Sequence, residues 1–162
     1  MKEFERGSAA IDWCEDNYAV VASIAEFYNV VSNALFLLMP PLLLYLFRQY
    51  ARQVNPSVNI MWVLLMVVGA SSVYFHTTLS MFGQLLDEIA IIWVVWCGIA
   101  LWYPKRYYPS QLNGNRKYFK ICILLGCLST TALACIHPAV NSYFMFMFVP
   151  PSVYMLYLEL QR

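Results

Sequence analysis

The sequence predicts an all-α protein, a polytopic transmembrane helical bundle of about five membrane helices. Three observations carry that expectation. Of its 162 residues, 61% are hydrophobic, and the mean hydropathy is +0.58. Charged residues make up 12%, against about 25% in an ordinary soluble domain. The apolar residues gather in five runs, each near the ~20 needed to cross a hydrocarbon core as a helix. Alternating barrel-strand patterns are absent, so helices are the expected spanning element.

The runs cover residues 22–47, 58–79, 85–103, 118–136 and 139–158, in a single membrane domain over 1–162. The first follows an acidic segment, 1–21. The first nineteen residues hold seven charges and no apolar core, so no cleavable leader is expected there. Pro40-Pro41 in the first run and Pro150-Pro151 in the fifth are expected to kink or shorten their helices. A short turn around Gly83 divides the second run from the third, which Asp87 and Glu88 then open. His137-Pro138 makes the turn between the last two and is read as a surface feature. The positive-inside rule orients the bundle. With the N-terminus luminal, Arg48, Arg52, Lys105, Arg106, Arg116, Lys117, Lys120 and Arg162 all face the cytosol, leaving Lys2 and Arg6 opposite.

A net charge of +1 offers no basic field for nucleic acid, and neither a Gly-rich phosphate loop nor zinc-finger cysteine spacing is present. Cys97, Cys122, Cys127 and Cys135 lie in apolar runs and read as small buried hydrophobes. Cys14 lies in a polar segment and has no exposed cysteine to match it.

The informative residues are those lipid should not tolerate. Ser72 and His76 are four apart, so a helix places them on one face. A helical hairpin would bring Asp87 to the same depth. An ionisable group at membrane depth is a functional-site hypothesis by default, at ~2.5–3.5 kcal/mol if charged and unpaired at a helix centre. The alternative is polar glue between two helices, worth about 0.6 kcal/mol on average. Glu88 suits a helix start, where a carboxylate meets the dipole. A second cluster is Asp12-Trp13-Cys14-Glu15-Asp16-Asn17, with Glu26 following. Asp12, Glu15, Asn17 and Glu26 offer the hard oxygens calcium requires, without an EF-hand pattern. The same segment also reads as a solvated acidic tail with a helix cap. Asn29 and Asn33 share a helix face with Glu26, a stripe that must point into a bundle.

Three stretches carry a resemblance: DWCEDNY with IAEFYNVVSN (12–18 and 24–33), FRQYA (47–51) and GASSVYFHTTLSMFGQLLDE (69–88). On these the chain resembles the alkaline ceramidases, seven-helix membrane amidases related in fold to adiponectin-receptor-type proteins. The resemblance implies that His76 is a zinc ligand and that Ser72 and Asp87 are catalytic. It implies a calcium site from Asp12, Trp13 (through its backbone carbonyl), Glu15, Asn17 and Glu26. It further implies Zn2+ and Ca2+ as cofactors, ceramide as substrate, sphingosine and a fatty acid as products, and a Golgi or endoplasmic reticulum membrane. The family's other two zinc ligands form an H-x-x-x-H pair in its last helix. This sequence contains no such pair; its second histidine is His137. The expectation is therefore the first five of seven helices, with little or no hydrolysis by these residues alone. An alternative is a non-catalytic, sphingolipid-binding or regulatory form that pairs with a full-length copy. A proton-coupled transporter using His76 and Asp87 is a third reading, but it leaves the acidic motif without a role.

Overall fold

A computed structural model describes residues 2–13, 15–137 and 139–161, the side chains of Ala139 and Ser142 excepted; Cys14 lies outside them. All regular structure among them is helical: α1 (Phe27–Ser32), α2 (Ala34–Leu46), α3 (Arg48–Gln53), α4 (Val58–Thr78), α5 (Met81–Trp102), α6 (Arg116–Ile136) and α7 (Ala139–Leu160). Five helical stretches are long and apolar enough to cross a membrane: Phe27–Leu46, Val58–Thr78, Met81–Trp102, Arg116–Ile136 and Tyr143–Leu160. Both proline pairs sit inside continuous helices rather than shortening them. Large apolar side chains point outward along the spans, with Leu38 72% and Phe146 81% exposed. Outward apolar faces suit a lipid solvent, which covers them at no cost.

The chain divides into two compact units, Met1–Ile91 and Ile92–Arg162, with α5 contributing to each. In the first unit α4 packs mainly on α1 and α2. Gly69 permits this approach: a Cβ there would stand 2.9 Å from that of Phe36. α4 ends at Leu79, which takes a left-handed conformation (φ 46°), and α5 begins at Met81. The turn is therefore at Leu79-Ser80, α5 starts four residues before the expected residue 85, and Gly83 lies inside α5. Its role is close approach, since a Cβ would meet the backbone Cα of Phe75 at 3.0 Å. Glu88 accordingly lies well inside α5 instead of at its cap, and accepts a 2.8 Å hydrogen bond from Gln84 Nε2.

The acidic N-terminal segment is built into this unit. A helix leaves its last four carbonyls without intrahelical donors. At the end of α4 the segment supplies them: Glu26 N–H donates to His76 O (3.0 Å), Ala25 to Thr77 O (3.2 Å), Gly7 to Thr78 O (3.0 Å) and Ala9 to Leu79 O (2.8 Å). This explains why the first span starts at Phe27 and not at Ala22. Residues 22–26 lead up to the end of α4, and Glu26 is already extended at the α1 N-cap (φ −120°, ψ 90°). Ala25, Phe75 and Leu79 form a small apolar core under the seam, with Ala9 packed against it.

The second unit is held by aromatic side chains. Trp96 of α5 lies over Gly126 of α6, donates through Nε1 to Thr130 Oγ1 (3.0 Å), and meets the rings of Phe144 and Phe148 of α7 at 5.1 and 5.6 Å. Trp93 Nε1 donates to Thr131 Oγ1 (2.9 Å). The α5–α6 link is pinned by stacking of Tyr108 on Phe119, with centroids 4.1 Å apart. Arg116 donates to the carbonyl of Leu101, closing the end of α5. Asn115 caps α6, its side chain accepting from Lys117 N–H at 2.9 Å. His137 caps the other end of α6 and is exposed.

Candidate functional site

The end of α4, the start of α5 and the N-terminal segment converge on one polar pocket of side chains in the first unit. Ser72, one turn before His76 on α4, is buried. Its Oγ accepts a 3.0 Å hydrogen bond from Asn33 Nδ2, whose other contact is Asn29 O at 2.9 Å. Because Asn33 donates, the Ser72 hydroxyl keeps its own proton for another acceptor. That acceptor is the Asp87 carboxylate, which takes a side-chain hydrogen bond from Ser72 and lies beside His76, as the hairpin geometry predicts. Its Oδ1 is buried and has no hydrogen-bond partner among the described residues. Orphaned buried oxygens are uncommon and mark a place where a donor, water or ion is to be accommodated.

Glu26 is the centre of the arrangement and is fully buried. Its Oε2 pairs with His76 Nδ1 and also accepts from Asn29 Nδ2 at 3.3 Å, while Oε1 accepts from Trp13 N–H at 3.0 Å. With its backbone N–H on the His76 carbonyl, Glu26 grips both main chain and ring of the same residue. With Nδ1 engaged by a carboxylate, Nε2 is the ring nitrogen left for another partner. This is the pattern by which a histidine is oriented as a metal ligand.

The acidic motif gathers at the head of α1, but its oxygens are shared among protein donors. Glu15 receives the N–H groups of Tyr28 (2.7 Å) and Asn29 (3.0 Å), which are orphan donors of the first helical turn. Asp12 Oδ2 accepts from Asn17 Nδ2 at 2.9 Å, and the Trp13 carbonyl accepts from Glu15 N–H at 2.8 Å. Among the described residues no group of three His, Cys, Asp or Glu is placed to hold a metal ion. The donor chemistry therefore fits in part. His76 presents one ligand nitrogen of the three a catalytic zinc usually takes from protein. The calcium candidates are neighbours, but their carboxylates do not converge.

Two residues of this cluster escape a reading by residue type. Asn33 fell within a packing stripe, although it orients the Ser72 hydroxyl. Gln84 joins the N-terminal segment to α5 by accepting from Ala10 N–H (3.2 Å) and donating to Glu88. The signal for Asn33 was its register with Glu26; Gln84 gave none.

The family model for ceramidase matches residues 5–162. The chain belongs to the ceramidase family. It is 50% identical over 156 residues to an alkaline ceramidase of Drosophila melanogaster, covering 96% of this chain and 55% of that protein. To human alkaline ceramidase 1 it is 42% identical over 140 residues, 86% of this chain and 53% of the relative. The yeast alkaline ceramidase YPC1 is 34% identical over 133 residues, or 77% and 41%. The chain thus spans about half the length of the curated relatives it matches.

Proposed function

We propose that this chain provides the amino-terminal part of a ceramide-hydrolysing site, which cleaves an amide to sphingosine and a free fatty acid. The observation that carries the reading is the juxtaposition of Ser72, a His76 whose Nδ1 is fixed by Glu26, and Asp87, whose buried Oδ1 has no hydrogen-bond partner among the described residues. Zinc would be held by His76 Nε2 together with ligands this sequence does not itself supply. When bound, it would make hydroxide available near neutral pH by lowering the pKa of water toward ~7.

The chain's own groups have separable tasks. Ser72, with its lone pair engaged by Asn33, would swing its hydroxyl proton from Asp87 to the oxyanion that develops when an amide carbonyl is attacked. Asp87 accepts a proton from the attacking water and returns it to the departing amine. Glu26 holds the His76 ring in one tautomer. The site lies near the end of the α4–α5 hairpin, a depth that suits the amide of a lipid near the membrane surface. Calcium would draw on Asp12, Glu15, Asn17, Glu26 and the Trp13 carbonyl, replacing the hydrogen bonds that now join them. The eight-to-two division of Lys and Arg supports a luminal position for this end, and the family resemblance supports a Golgi or endoplasmic reticulum membrane.

The test is a chimera in which this chain precedes the carboxy-terminal half of the Drosophila relative, assayed on ceramide with zinc and calcium. The chimera is expected to hydrolyse ceramide and to lose at least a hundredfold in rate on His76→Ala, while the 162 residues alone show little or none. An active His76→Ala chimera would sink the reading.

A further inference from the structure

The second unit contains a groove of about 190 Å³ between α5 and α7. Gly98 and Ile99 of α5 face Val149, Val153 and Leu156 of α7 across it, and the lining is almost wholly apolar. From Val149 to Glu159 it follows α7 for about 15 Å at 1.5 Å per residue. That is half of a hydrocarbon core of ~30 Å, the depth of one leaflet. Tyr103 and Glu159 line the end away from Val149. Aromatic side chains of this kind concentrate at the headgroup level, and Tyr107, Tyr108 and Tyr118 surround the same link.

The charge at that end is one-sided. Between Leu101 and Lys120 the sequence has Lys105, Arg106, Arg116, Lys117 and Lys120 and no acid. Arg116 is committed to the Leu101 carbonyl. Lys105 and Arg106 share one short turn, Lys105–Tyr107, and both are exposed. Arg106 pairs with Glu159, the only charged residue lining the groove, and that pair is open, with side chains 33% and 41% exposed. An exposed ion pair is held weakly and yields to a competing anion.

The geometry points to a binding site for an acidic phospholipid of the surrounding bilayer. One acyl chain lies in the groove between α5 and α7. The phosphate rests on Arg106 and Lys105, taking the place of the Glu159 carboxylate. Two adjacent cations match a phosphate, for which Arg offers paired donors, better than a lone fatty-acid carboxylate. A basic rim over an interhelical cleft is a recurrent headgroup receptor. The proposal is independent of hydrolysis and reads out without it.

Native mass spectrometry of the full chain, released from detergent after titration with palmitoyl-oleoyl phosphatidylserine, phosphatidylcholine or oleate, tests it. One phosphatidylserine per chain should survive activation that strips phosphatidylcholine. The Lys105→Gln/Arg106→Gln variant should lose at least tenfold in apparent affinity. Glu159→Gln should gain several-fold, because the competing carboxylate is gone, a result misfolding cannot produce. Gly98→Leu should abolish retention by filling the floor, with helicity checked by circular dichroism. Equal retention of both phospholipids, retention of oleate alone, indifference to the charge variants, or a chain dimer that excludes lipid would each overturn the assignment.

Discussion

The two units use their interiors differently. Among the described residues, the first buries Glu26, Asn33, Ser71, Ser72, Ser80 and Gln84, whereas the second buries only Asn141 of the polar kind. The first is joined by hydrogen bonds that run from main chain to side chain across long sequence separations. The second is joined by stacked rings and two indole–threonine bonds. The second unit is thus held mainly by apolar and aromatic packing with few polar ties. The first concentrates its buried polar groups around Ser72, His76 and Asp87, a surplus over what the second unit uses and in keeping with the proposed chemical use.

The contrast can be broken most directly at Glu26. Glu26→Ala strips His76, Trp13 and Asn29 of a shared acceptor and is expected to destabilise the chain by about 3–5 kcal/mol, the cost of leaving one partner of a buried pair. Reversible unfolding in mixed micelles would measure it. A loss near ~0.6 kcal/mol would instead make the pair ordinary interhelical glue. A middle-sized effect separates the two glycines. Gly83→Ala drives a methyl against the Phe75 backbone and should cost about 1–3 kcal/mol. Gly126→Ala meets the outer edge of the Trp96 ring, 2.8 Å away, which can tilt, so its cost should be the smaller of the two in the same unfolding assay. The reverse order would mean the aromatic unit is the more rigid. Smallest is Thr130→Val, which keeps the side chain's shape and the packing of Trp96 on Phe144 and Phe148 and removes the acceptor of the Trp96 Nε1 bond; about 0.6 kcal/mol is expected.

The five spans were legible because about 20 apolar residues in a row have few other fates. The meeting of Ser72, His76 and Asp87 was legible because a four-residue step and a hairpin leave little freedom. The turn itself was not. Gly83 has the look of a turn residue, yet Leu79 makes the turn in a left-handed conformation, while Gly83 is spent on helix contact. Nor was the Glu26–His76 pair legible, since fifty positions separate the two and side-chain chemistry alone sent Glu26 to a calcium set. The capping of α4 by the N-terminal segment is invisible for a similar reason. Backbone amides carry no residue signature, so Gly7, Ala9 and Ala25 offer nothing to recognise.

That capping has a consequence for how the protein is made. The segment leaves the ribosome before the helix end it must close. Gly7, Ala9, Ala25 and Glu26 have to wait on their own side of the membrane until α4 has crossed and presented its last carbonyls. The seam is therefore closed only after α4 has been made, by a stretch of chain made before it. A bulky fusion at the amino terminus would compete with that final step while leaving every membrane span in place.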